Sequence, residues 1–150
     1  MKKTILTILV CGFIVLEITG CGKEKDIKIE QKEYSTNKSI NISEKIDTII
    51  INGPITSSNP FDYIKASEKE YDELLQYPKE TFEYAIKDLI ETNNNGLKGY
   101  IEALLCKEIN KNFEYEFETA NDYLEHYKEF LEQSDYEFNN YDKYAQTLLK

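Results

Sequence analysis

The sequence predicts an all-α fold, a small helical bundle with a short extended arm at its N-terminal side. Three observations carry that expectation. Apolar residues recur at helical spacing from Phe61 to Leu148. Residues that start helices stand ahead of the periodic stretches (Asn59-Pro60, Ser67, Pro78, Thr119, Ser134), and Asn93-Asn94-Asn95-Gly96 stands after one as a stop. The periodic stretches are joined by short turns, which favours antiparallel neighbours.

The elements follow in chain order. Met1-Lys2-Lys3 is a short positive segment, and Ile5–Ile18 is a 14-residue run, apolar apart from Thr7, Gly12 and Glu17. A bilayer-spanning helix needs about 20 apolar residues, so length and flanks fit a secretory signal peptide over 1–20. The run ends in Ile18-Thr19-Gly20-Cys21, which resembles the lipobox of bacterial lipoproteins. That resemblance implies cleavage between Gly20 and Cys21 and a diacylglycerol on the Cys21 sulfur; Glu17 departs from the usual pattern. Two acyl chains hold a protein stably to a bilayer, where one would not.

Residues 21–45 are rich in Lys, Glu, Ser and Asn with isolated Ile and no sustained period, and read as a flexible tether to a domain over 46–150. Asp47–Ile51 is β-branched and is halted by Asn52-Gly53-Pro54, so it reads as a strand or extended arm. Asn59 then caps a helix with Pro60 in its first position. Ser67–Glu70 has the spacing of a capping box, with Tyr71, Leu74 and Leu75 on the inner face. Pro78 opens a helix carrying Phe82, Ala85, Ile86, Leu89 and Ile90. Leu97–Ile109 is the next, and the Ser67–Asn110 portion resembles a HEAT-like helical hairpin and a half. Phe113–Phe117 alternates with period two, the strand-like partner available to 47–51. Thr119 caps a helix through Leu131, and Ser134 with Glu137 has capping-box spacing ahead of Phe138, Tyr141, Ala145 and Leu148.

Composition excludes several classes. All 18 basic residues are Lys, set against 28 acids for a net charge of −10, which argues against a nucleic-acid partner. One His and three Cys leave no disulfide scaffold and no Cys/His zinc site, since the lipobox resemblance implies that Cys11 departs with the signal and Cys21 is acylated. No cofactor, metal or catalytic set is expected.

The candidate chemistry is sparse. His126 stands one helical turn from Asp122 and is expected as an exposed helix His beside a favourable charge, rather than a general base. Glu114, Glu116 and Glu118 share one face of an extended segment and are expected to be solvated. Cys106 is expected as a buried small hydrophobe. Of the twelve Tyr, Tyr71, Tyr100, Tyr127 and Tyr141 fall on core stripes. Leu89 and Leu104 are expected to face each other in a hairpin, with Glu91 and Lys98 on the opposite faces. Asn59, Asp62 and Tyr63 form a candidate binding locus at a helix start, next to the hydroxyls of Ser57 and Ser58.

Ser57–Ile64, Tyr71–Leu75 and Gly96–Ile101 together resemble a small helical module of Gram-positive bacteria, found in lipoproteins and in tails of membrane zinc-peptidase sensor proteins. The resemblance covers about Ile49 to Lys150 and implies fold and location rather than an activity; the peptidase's HExxH motif is absent from this sequence. The expected function is therefore a non-catalytic binding or sensing lipoprotein, bound to the bilayer through acylated Cys21 on the extracytoplasmic face of the cell membrane, with a protein or cell-wall partner. An inhibitor or immunity-type lipoprotein that blocks a secreted or membrane enzyme is the alternative, and a wall-acting enzyme a third.

Overall fold

Residues 40–150 apart from Ser134 are described by the structure, a computed structural model. The expected signal peptide and cleavage site, Cys21 and the expected tether up to residue 39 lie outside these residues. The described residues form seven helices: α1 (Ile42–Asn52), α2 (Pro60–Ala66), α3 (Glu68–Leu75), α4 (Pro78–Thr92), α5 (Leu97–Ile109), α6 (Ala120–Leu131) and α7 (Asn140–Leu148). No helix among them is long and apolar enough to cross a membrane.

α5 organises the rest. A helix apolar on every side must be buried on every side. The sequence LKGYIEALLCKEI has little amphipathic contrast, and Gly99 and Ile101 through Cys106 are all buried. Ile101 and Leu105 face one core, shared with Ile42, Ile46 and Ile49 of α1 and Tyr71 and Leu74 of α3. Ala103, Leu104 and Cys106 face a larger core, built with Phe82, Ile86 and Leu89 of α4 and with residues from α6, α7 and the 113–117 segment. Leu89 and Leu104 sit in that second core, as the hairpin requires. The α4–α5 turn is tight: Asn93 ends α4 in the left-handed region at φ 51°, a conformation Asn tolerates at a helix end. The turn then lies so close to α5 that a Cβ on Gly99 would stand 1.7 Å from the Asn94 carbonyl oxygen.

Phe113 links the larger core through its ring contacts with Tyr123, Tyr127 and Phe130 at 5.1–5.6 Å between centroids. Tyr71, Tyr123 and Tyr127 are buried. Tyr100 and Tyr141 are half-buried, against Phe117 and Phe82. The core stripes thus account for the four tyrosines assigned to them.

Several expectations need correction. The 47–51 arm is helical: Asn41 caps α1, its side chain accepting from the Glu44 N–H, and Ile42, Ile46 and Ile49 fall on one buried face. The β-branched preference of the Ile run yields to that i, i+4, i+7 pattern, which appears once Ile42 is counted with it. The tether boundary at Lys45 therefore falls inside a helix. Ser67 occupies the N-cap position of α3 but makes no side-chain cap, its hydroxyl being buried without a partner. The α7 cap is Asn139, paired reciprocally with Asp142 in a capping box, so the helix starts after the Ser134–Glu137 stretch; Ser134 itself is outside the described residues. Phe113–Phe117 does alternate, with Phe113 and Phe117 buried and Glu114 and Glu116 exposed, yet no strand forms among the described residues.

Candidate functional site

Asn59, Asp62 and Tyr63 converge on one loop. Residues 53–59 link α1 to α2 and turn back through the Ser57 N–H, which donates to the Pro54 carbonyl at 3.0 Å. The Asn59 side chain accepts from the Phe61 N–H at 3.2 Å and so caps α2. The Ser57 hydroxyl donates to the Asp62 carboxylate at 2.5 Å, and the Tyr63 hydroxyl donates to the Ser57 carbonyl at 3.0 Å. Gly53 lets the Tyr63 ring lie flat against the loop, since a Cβ there would stand 1.8 Å from Tyr63 Cδ1. All three predicted residues are thus committed to holding the loop's shape.

Only Asn59 of the three also lines a groove, of about 400 Å³, running from the start of α2 to the start of α5. Phe61, Leu97 and Tyr100 supply its apolar wall, Ser58 and Thr119 hydroxyls, and Glu118 its one charge. Such a wall can take an uncharged or weakly polar ligand.

The acid–base group at α6 is more closely assembled than the sequence suggested. His126 Nδ1 lies 3.1 Å from Asp122 Oδ1 and 3.0 Å from the Asp122 carbonyl, and its Nε2 lies 3.2 Å from the Tyr115 hydroxyl. That hydroxyl also donates to Asp122 Oδ1 at 3.3 Å. The His126 and Tyr115 rings stack at 4.1 Å. With both ring nitrogens protonated, His126 donates to Asp122 and to the Tyr115 oxygen while Tyr115 donates to Asp122, closing a ring of hydrogen bonds. The hydrogen bond to the Asp122 main chain, then the Asp122 charge, raises the His126 pKa above its ordinary value against the pull of desolvation. Tyr115 is itself held protonated, its pKa raised by desolvation and by Asp122. Both ring nitrogens of His126 are thus engaged within the group, by Asp122 and by the Tyr115 hydroxyl. Tyr115 is the member that sequence spacing missed, because it reaches α6 from the extended segment.

Two further groups escaped the sequence. Glu102 is fully buried on α5, with both carboxylate oxygens lacking hydrogen-bond partners. Burial and the nearby Asp88 push it up to about 8, against the lowering effect of Lys98. Lys98, expected on an open face, instead donates to Asp88 at 3.0 Å. Its Nζ lies 3.5 Å from Glu102 Oε1. Burial works against its charge, but Asp88 and Glu102 outweigh that and raise its pKa. An apolar helix with one acid at its middle was the available signal for Glu102.

The second group is a buried polar network. Asp142 accepts from Asn110 Nδ2 at 2.6 Å, the Tyr127 hydroxyl at 2.8 Å and Asn112 Nδ2 at 2.9 Å. Asn139 Nδ2 donates to Asn110 Oδ1 at 2.7 Å. Every bond ties one element to another, which is structural work.

Cys106 is fully buried, and burial followed by Glu102 pushes its thiol well up, the reverse of what a reactive thiolate needs. Among the described residues no cluster of three or more His, Cys, Asp or Glu is arranged to hold a metal ion. Comparison of the chain with family models, with curated proteins and with solved structures gives no match.

Proposed function

We propose that this protein is an extracytoplasmic lipoprotein, anchored through acylated Cys21, whose helical body is a non-catalytic binding or sensing module. The observation that carries the reading is Ile18-Thr19-Gly20-Cys21 at the end of a signal-like run, followed after a short polar stretch by a folded helical domain. The site chemistry supports it. Asp122, His126 and Tyr115 spend their donors and acceptors on one another, and the Asn59 groove is walled by apolar side chains, amides and hydroxyls.

The test is metabolic labelling with an alkyne fatty acid in the wild-type chain and in Cys21→Ser. Label on the wild type alone, with accumulation of precursor or release of the variant, is the expected result. A wild-type chain that takes up no label removes the anchor. Pull-down with the acylated chain then sorts the body's role. A stoichiometric enzyme whose activity falls on binding would favour the inhibitor reading, and turnover of wall fragments would replace the binding reading with an enzyme.

A further inference from the structure

Between Asp47 and Asp62 the chain carries no charge for fourteen residues, in a protein 31% of whose residues are charged. A run that long does not arise from the needs of the core, because most of its second half is exposed. The three most exposed large apolar residues described all fall within it: Ile55 at 99%, Ile51 at 78% and Phe61 at 55%. Single exposed apolar residues need no explanation. Three of them in a single fourteen-residue uncharged stretch of an acidic protein do.

The loop between them is built to hold them out. The Ser57–Pro54 turn, the Tyr63 hydroxyl on the Ser57 carbonyl and the Tyr63 ring on Gly53 fix its path. The Asp62 carboxylate, nearest in sequence to the exposed Phe61, is bonded by the Ser57 hydroxyl.

We propose that the 51–61 loop is a membrane-contact surface, seating Ile51, Ile55 and Phe61 in the headgroup–acyl boundary of the bilayer to which Cys21 is tethered. The proposal rests on the lipoprotein reading. Charge selects the occupant. A chain of net charge −10 is repelled by anionic headgroups, and burying an ion at the interface is costly. The uncharged run can approach the bilayer with neither cost, and its apolar side chains gain from leaving water. Reach is sufficient: Ile40 lies nineteen positions after Cys21, up to about 65 Å of extended chain, and α1 adds only about 16 Å to Ile51.

The chain contains no Trp, so Ile55→Trp installs the only indole. The full acylated chain carrying Ile55→Trp is reconstituted in phosphatidylglycerol–phosphatidylethanolamine vesicles that contain brominated lipid, beside Gln133→Trp at the end of α6 as the water-facing control. The expected result is blue-shifted emission quenched by bromolipid for Ile55→Trp, and water-like emission for the control. Water-like emission from Ile55→Trp in a chain that carries the fatty-acid label overturns the proposal and leaves the anchor standing. If the chain takes up no label, the lipoprotein reading fails, and the unacylated full chain is mixed with the same vesicles. Quenching there sustains the contact surface, and unshifted emission overturns it. Adding Ile51→Ser and Phe61→Ser to unacylated Ile55→Trp should weaken vesicle binding by about tenfold or more, with the far-ultraviolet dichroism unchanged. Equal binding by that variant also overturns the proposal.

Discussion

Glu102 Oε1 lies 3.5 Å from Lys98 Nζ, one turn apart on the most buried helix, and the same ammonium donates to Asp88 on α4. The α4–α5 hairpin is therefore crossed by a cation between two acids, at a place where the apolar pattern alone implies only leucine packing. Glu102 is sealed in the core and the Lys98–Asp88 pair is part-buried beside it, and loss of a donor from a part-buried carboxylate costs more than loss of a surface pair.

Lys98→Ala should accordingly destabilise the protein by about 1–3 kcal/mol, since it takes the Lys98 donor from the part-buried Asp88 carboxylate beside the protonated Glu102. Glu91→Ala, which breaks only an exposed pair with Lys87 at 3.8 Å, should stay within about 0.5 kcal/mol. Leu89→Ala and Leu104→Ala, each opening a cavity in the larger core, should cost about 2–5 kcal/mol. Urea denaturation of the four variants gives the ranking. Equal, negligible losses for Lys98→Ala and Glu91→Ala would mean that Lys98 faces water.

The same cluster sets a pH dependence. Burial keeps Glu102 protonated up to about 8, whereas its ordinary value is 4.5. Between those values the folded chain holds a proton that the unfolded chain has lost, so this group's contribution to stability falls as pH rises through the window and levels above it. Glu102→Gln is uncharged throughout and should remove that fall. At about pH 9 it should be more stable than the parent by about 1–3 kcal/mol. Denaturation midpoints at several pH values check this, and an undiminished slope in the variant would assign the fall to another group.

His126, the chain's single His, titrates without overlap from any other imidazole. Its hydrogen bond to the Asp122 main chain and the Asp122 charge raise its pKa, so its contribution is complete below the ordinary value near 6.5 and is lost as pH rises through the raised folded value. Proton NMR of the ring should give a midpoint above 6.5. Asp122→Asn should move it down, and Tyr115→Phe should shift it less. A parent midpoint at or below 6.5 would dissolve the Asp122–His126–Tyr115 arrangement.

What could be read in the sequence was what is local. Pro78, Asn93, Gly96 and Thr119 mark their helix ends where the structure has them, because capping and stop signals act within four residues. α1 was hidden by its own composition. Ile49-Ile50-Ile51 looks like a strand until Ile42 and Ile46 are placed on the same face; Ile42 falls in the polar stretch 21–45, and Ile46 stands just outside the 47–51 run. The start of α7 was obscured by a second plausible cap, Ser134 with Glu137, ahead of the one in use. The site was less legible than the fold. Asn59, Asp62 and Tyr63 did come together, but around Ser57 rather than around an opening. Tyr115 meets His126 from a separate segment, and no spacing rule predicts contacts of that kind.

The most distant of those contacts gives the sharpest remaining prediction. Asp142 is fully buried and takes its hydrogen bonds from four uncharged donors: Asn110 Nδ2, the Tyr127 hydroxyl, Asn112 Nδ2 and the Asn139 N–H, the last at 3.1 Å. These come from the end of α5, the turn after it, α6 and the cap of α7, so one carboxylate holds four parts of the chain in register. Asp142→Ala removes the acceptor shared by four donors, two of them fully buried, for about 3–5 kcal/mol. Asp142→Asn keeps one acceptor oxygen but turns an amide N–H₂ toward the other donors, and should cost about 1–3 kcal/mol. Tyr127→Phe removes a single donor and leaves the carboxylate three others, so it should cost about 0.5–1.5 kcal/mol. The order Ala, Asn, Phe in denaturant midpoint is the test. An Asp142→Ala variant as stable as Tyr127→Phe would show that α7 is held by Ala145 and its apolar neighbours alone, and that the network is a passenger on that packing.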